Sequence, residues 1–158
     1  MKKLVECVPN ISEGNDLSVI NKIVETVEKY PGIKLLNVDP GKATNRTVIT
    51  FVGDADIIVD AAFKLISKAK ELIDMRKQFG EHPRMGAVDV CPLIPISGIS
   101  MEETINLAHK LSHRVGRELS IPVYCYENAA KENKRKNLAN CRAGEYEGLE
   151  NKFKDSLW

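Results

Sequence analysis

Ile33-Lys34-Leu35-Leu36-Asn37-Val38 and Thr47-Val48-Ile49-Thr50-Phe51-Val52 are two β-rich runs joined only by Asp39-Pro40-Gly41-Lys42-Ala43-Thr44-Asn45-Arg46. A parallel pair needs a crossover of roughly a dozen residues or more, usually helical, and this connector holds no helix. The two runs are therefore antiparallel, or out of sequence order in the sheet, which argues against a doubly wound parallel fold. Pro40-Gly41 predicts a turn between them.

Reading outward from this hairpin completes the pattern. Residues 2–9 are short, apolar and β-rich, and they run into Asn10-Ile11-Ser12-Glu13-Gly14-Asn15-Asp16, a cluster of turn and cap residues. From Leu17, the apolar positions Ile20, Ile23, Val24, Val27 and Tyr30 have the spacing of a helix with one buried stripe, and Pro31-Gly32 ends it. Beyond the hairpin, Asp54 caps the longest helical pattern, which carries Ile58, Ala61, Ala62, Leu65, Ile66, Ala69, Leu72 and Ile73. Residues 87–96 form a strand interrupted, or placed at an edge, near Pro92. Ser100 and Glu103 make a capping box for a third helix through Ile105, Ala108, Leu111, Val115 and Leu119. Pro122-Val123-Tyr124-Cys125-Tyr126 is expected to be a last short strand. This order predicts one α+β domain with a ferredoxin-like core and one extra strand: a sandwich whose mixed or antiparallel sheet of about five to six strands has helices on one face.

Composition narrows the function. With 158 residues, 43% hydrophobic and 28% charged, the chain buries a real core without metal or disulfide staples. Lys plus Arg is 23 against 22 Asp plus Glu, so no global field recruits nucleic acid or an anionic membrane, and anionic ligands must meet local charges. The four cysteines, Cys7, Cys91, Cys125 and Cys141, include no C-x-x-C pair and no zinc-type spacing, which reads as reduced thiols and predicts no metal. Glu6 interrupts any signal-like start, and no apolar run approaches a membrane span, so the expected location is the cytoplasm.

Gly80-Glu81-His82-Pro83-Arg84-Met85-Gly86 stands out as the candidate for chemistry. It lies between the long helix and the next strand, framed by two glycines and stiffened by Pro83. Imidazole, with an ordinary pKa of about 6.5, both takes and gives a proton near neutrality, so His82 suits an acid–base shuttle, although a plain surface histidine has the same composition. His109 and His113 share four-residue spacing on the third helix, but no carboxylate lies between them and no third ligand is apparent. Asn10, Asp39 and Arg46 sit at strand ends, placed to orient a base or hold a carboxylate, or simply to serve as turn residues. The cationic residues from Lys131 to Arg142 lack interleaved aromatics and read as a solvated helix face. Cys91 and Cys125 read as buried, inert thiols.

Four blocks, read together, carry a resemblance: Val8-Pro9-Asn10-Ile11-Ser12-Glu13-Gly14; Val38-Asp39-Pro40-Gly41 with Thr44-Asn45-Arg46-Thr47; residues 80–92 around His82; and Arg142-Ala143-Gly144-Glu145-Tyr146-Glu147-Gly148-Leu149. In this order they resemble the N-terminal subdomain of glutamate formiminotransferase, the transferase part of formiminotransferase-cyclodeaminase, over residues 1–158. The resemblance implies transfer of the formimino group from N-formimino-L-glutamate to N5 of tetrahydrofolate, the co-substrate, within histidine breakdown. It implies His82 as the catalytic base and then acid. Arg46 and Arg84 are then the candidates for substrate carboxylates, Asn10 a further binding group, and Asp39 the group that holds the imidazole tautomer or binds substrate. Family members have a second, similarly folded transferase subdomain, and folate lies between the two. The expectation is that a C-terminal subdomain, a partner chain or a second copy completes the site; the alternative is a non-catalytic relative that binds a folate-like ligand or a protein.

Overall fold

The computed structural model describes residues 2–155. Its strands are β1 (Leu4–Cys7), β2 (Asn10–Ile11), β3 (Lys34–Gly41), β4 (Arg46–Asp54), β5 (Val88–Val90) and β6 (Leu93–Ser97). Its main helices are α1 (Leu17–Glu28), α2 (Ala55–Leu72) and α3 (Met101–Leu119), followed by the short α4 (Leu138–Arg142) and α5 (Leu149–Lys154). The strand pairings are all antiparallel, so the chain is α+β with an antiparallel sheet.

β4 is the hub of that sheet. It pairs with β3 along one side and with β1 and then β2 along the other, while β1 pairs with β6 and β2 with β5. β1–β2 and β5–β6 thus behave as two interrupted strands lying side by side. Each interruption contains a proline, Pro9 or Pro92, which lacks the N–H a ladder rung requires. The breaks are neighbours: Val8 N donates to Pro92 O at 3.2 Å, and Ile49 N donates to Pro9 O at 2.9 Å. The sheet curls at this point.

The β3–β4 hairpin is antiparallel, but its turn is not at Pro40-Gly41. β3 continues through Pro40, which faces Thr47 in the register, and the chain reverses over residues 42–45, with Asn45 at φ 48°. Because β3 is an edge strand, the donor that Pro40 lacks leaves no partner waiting on its far side.

Val5, Cys7, Ile49 and Phe51 project from one face of the sheet into a core completed by Ile20, Ile23 and Val27 of α1, Ile58 and Leu65 of α2, and Leu111 and Val115 of α3. Glu6, Val48, Thr50 and Val52, on the alternate face, are only partly covered. A polar bridge ties the helices together: Asp60 accepts from Tyr30 Oη at 2.7 Å and from Arg114 Nη1 at 2.5 Å. The Ser100–Glu103 capping box forms as expected, and Glu103 also accepts from Lys3 Nζ at 2.5 Å.

Residues 122–126 are not the expected strand. Pro122 removes one donor, and the segment pairs with no sheet edge; it lines, with α3 and residues 85–95, an apolar cavity of about 690 Å³. No helix among the described residues is long and apolar enough to cross a membrane.

Phe51→Ala should cost about 3–5 kcal/mol, read as a lower urea midpoint, because Phe51 is fully buried at the centre of the hub strand. In acid, Glu103 gives a second readout. Lys3, then the Ser100 amide and hydroxyl, hold its carboxyl down from 4.5 to about 2, so its contribution is present at neutral pH and fades as pH falls through that window. Glu103→Gln should remove this part of the acid dependence.

Candidate functional site

Three segments converge beside the proline breaks: the loop after β2, the 42–45 turn and the connector from α2 to β5. Polar side chains join them. Gln78 Nε2 donates to Ser12 O and to Asn45 O, the latter at 2.9 Å, and Asn45 Nδ2 donates to Phe79 O at 2.8 Å. Asn45 Oδ1 accepts from Gly14 N at 2.9 Å, and Ser12 Oγ donates to Gly86 O at 2.7 Å. Two glycines permit this approach. A Cβ on Gly14 would overlap Gly41 O and Arg46 N, and one on Gly80 would overlap the Thr44 carbonyl.

His82 is half-buried on this platform. Its Nδ1 lies 2.6 Å from Pro83 O, a carbonyl that can only accept from it. Arg46 Nη1 approaches both ring nitrogens, at 2.7 Å from Nδ1 and 2.9 Å from Nε2. A guanidinium only donates, and at nearly equal distances from the two ring nitrogens it lies against the imidazole ring.

Arg46 is fixed from the other side. Its Nε donates to Asn10 Oδ1 at 2.9 Å, while Asn10 Nδ2 donates to Val8 O at 2.9 Å, which sets the amide orientation. Its Nη1 also donates to Asp89 Oδ2 at 3.0 Å. The Asp89 side chain is 1% exposed and accepts further from Arg142 Nη2 at 2.5 Å and Met85 N at 3.1 Å. Burial lowers the Arg46 pKa and Asp89 raises it, and the guanidinium stays charged. Two guanidinium charges against one carboxylate leave the cluster positive, a favourable setting for an anionic ligand.

The structure thus joins His82, Arg46 and Asn10 and leaves two other candidates apart. Asp39 is exposed on β3, and no described contact links it to His82; the carboxylate that reaches Arg46 is Asp89. Asp39 does share one cross-strand row with Val48, Asn10 and Val90, two strands or roughly 10 Å from Asn10. Arg84 is turned to the C-terminal segment, with Nη2 at 2.5 Å from Glu147 Oε1 and Nη1 at 3.5 Å from Glu145 Oε2. Sequence reasoning missed Asp89, Arg142 and Gln78 as site residues. A lone carboxylate between Val88 and Val90 was the available signal for the first; Arg142 was hidden in a run read as a solvated face. His109 Nε2 lies 2.8 Å from Ala129 O, and no group of three metal-ligating side chains occurs among the described residues.

Comparison with known proteins places this geometry. The family model for the formiminotransferase domain, N-terminal subdomain, matches residues 4–158. The chain is 50% identical over all 158 residues to the formimidoyltransferase-cyclodeaminase of Dictyostelium discoideum, covering 29% of that protein, and 51% identical to that of Rattus norvegicus, again covering 29%. It is 45% identical to the glutamate formimidoyltransferase of Streptococcus pyogenes serotype M1, of which it covers 53%. It therefore spans between about a third and about half of the relatives it matches. Together with the match across almost every described residue, these identities show that the chain belongs to the formiminotransferase domain family, as its N-terminal subdomain.

Proposed function

We propose that this chain is the His82-bearing half of a glutamate formiminotransferase, moving the formimino group from N-formimino-L-glutamate to N5 of tetrahydrofolate in the folate-linked breakdown of histidine. The observation that carries the reading is the His82–Arg46–Asp89 cluster, held on a platform where polar contacts and close-approach glycines leave little freedom. The names of the relatives, glutamate formimidoyltransferase and formimidoyltransferase-cyclodeaminase, support the reaction class.

The chemistry follows from proton bookkeeping. N5 loses a proton as it attacks the amidine carbon, forming the new C–N bond and a tetrahedral intermediate. The bond to the glutamate nitrogen then breaks, and that nitrogen takes up a proton. His82 performs both steps, with Nε2 as base and the resulting N–H as acid, an effect of roughly 10²–10⁴-fold. For Nε2 to reach N5, Arg46 must give up its contact with the ring and turn toward a substrate carboxylate. Asn10 keeps Arg46 Nε in place during that exchange. Arg84 binds a second carboxylate by exchanging Glu147, whose side chain is 64% exposed and easily displaced. Asp39, exposed in the same cross-strand row as Asn10, faces the cationic amidine.

In this reading the sheet is a ferredoxin-like sandwich: counting the interrupted pairs as single strands, the chain order is β-α-β-β-α-β and the lateral order is fourth, first, third, second. The C-terminal transferase subdomain, on a partner chain or on a longer form of this one, supplies the facing wall for folate. The protein works in the cytoplasm with folate and formiminoglutamate as its partners, requires no metal, and binds neither nucleic acid nor membrane.

Formimino transfer should appear when the chain is combined with the C-terminal half of a full-length glutamate formimidoyltransferase, and should fall about 10²–10⁴-fold in His82→Ala. Unchanged activity in His82→Ala, or none in the wild-type mixture, would overturn the reading. Arg46→Lys keeps the charge but loses the forked geometry, so KM for formiminoglutamate should rise more than kcat falls.

A further inference from the structure

The two proline breaks hold a feature that the transferase reading does not use. Cys7, at the end of β1, and Cys91, directly after β5, have their sulfurs 3.5 Å apart as free thiols. Their backbones are already fixed side by side, through Val8 N to Pro92 O at 3.2 Å and the pairing of Cys7 with Leu93. A disulfide needs sulfurs about 2.0 Å apart, so about 1.5 Å must close. The pair is also asymmetric. Cys7 is 0% exposed, whereas Cys91 is half-buried and lines the cavity of about 690 Å³. Cys125 and Cys141 line the same cavity, but Cys141 Sγ is directed to Arg135 O at 3.6 Å.

We propose that Cys91 and Cys7 form a peroxide-sensitive thiol pair that closes to a disulfide across the two interrupted strands. A hydroperoxide reaches Cys91 through the cavity; its sulfur attacks the O–O bond, takes up one oxygen as sulfenic acid and releases the other as water or alcohol. Cys7 sulfur then displaces that hydroxyl from Cys91, forming the S–S bond and releasing water. Two thiols supply two electrons and the peroxide accepts both, so the step balances without a further reactant. Full burial keeps Cys7 from meeting the oxidant first, and its sulfur, 3.5 Å from that of Cys91, is placed to attack the oxidised one. The bond would clamp β1–β2, which carries Asn10, to β5–β6, two residues beyond Asp89.

The test treats the folded full chain with hydrogen peroxide, traps free thiols by alkylation in denaturant and maps the peptides by mass spectrometry. Alkylatable thiols should fall from four to two, with one linked peptide pair containing Cys7 and Cys91, and dithiothreitol should restore four. The double variant Cys125→Ser/Cys141→Ser should form the same link, and Cys91→Ser should not. Four thiols retained, a link through Cys125 or Cys141, or Cys91 oxidised to sulfinic acid without linkage would each overturn the proposal. The peptide map of the wild-type chain decides the matter even if Cys91→Ser fails to fold.

Discussion

The Asp89 carboxylate, almost fully buried, is held by two guanidiniums and a backbone amide, and the site is arranged around it. An uncompensated buried charge costs several kcal/mol, so the carboxylate binds Arg46 and Arg142 as firmly as they bind it. Arg46 is thereby placed against the imidazole and Asn10, while Arg142 draws the end of α4 onto β5. One ion cluster thus connects the sheet, the His82 loop and the C-terminal segment.

The sheet makes that cluster possible by being interrupted. Continuous strands at β1–β2 and β5–β6 would keep the ladder regular past Pro9 and Pro92. Instead, the adjacent breaks allow β2 and β5 to leave the line of β1 and β6, and Asn10 of β2 and Asp89 of β5 both reach Arg46. The platform under His82 is a second consequence. Asn45, in the left-handed region, directs its amide at Gln78 and Gly14 together, which binds the turn to both neighbouring loops.

Much of the frame is readable from residue order. The short connector between residues 38 and 47 requires antiparallel pairing, Ser100 and Glu103 announce the start of α3, and Pro92 announces the strand break. Local rules fail where tertiary context decides. Pro40-Gly41 has turn chemistry yet remains in β3, because an edge strand tolerates proline; residues 122–126 have strand chemistry but find no sheet edge to pair with. The site shows the same division. His82 and Arg46 lie in blocks that look functional by themselves, whereas the finding that Asp89, and not Asp39, is the carboxylate joined to the His82–Arg46 pair depends on register and on which strand each occupies, information that appears only when strands are paired.

The most direct test of this account is the nitrogen chemical shifts of the His82 imidazole, measured by NMR in the wild-type chain and in Asp89→Asn. Because Arg46 touches both the imidazole and Asp89, the His82 nitrogen shifts should move in Asp89→Asn as Arg46 loses its anchor. His82 resonances that stay the same in a folded Asp89→Asn protein would contradict the claim that the buried carboxylate places Arg46 against the imidazole.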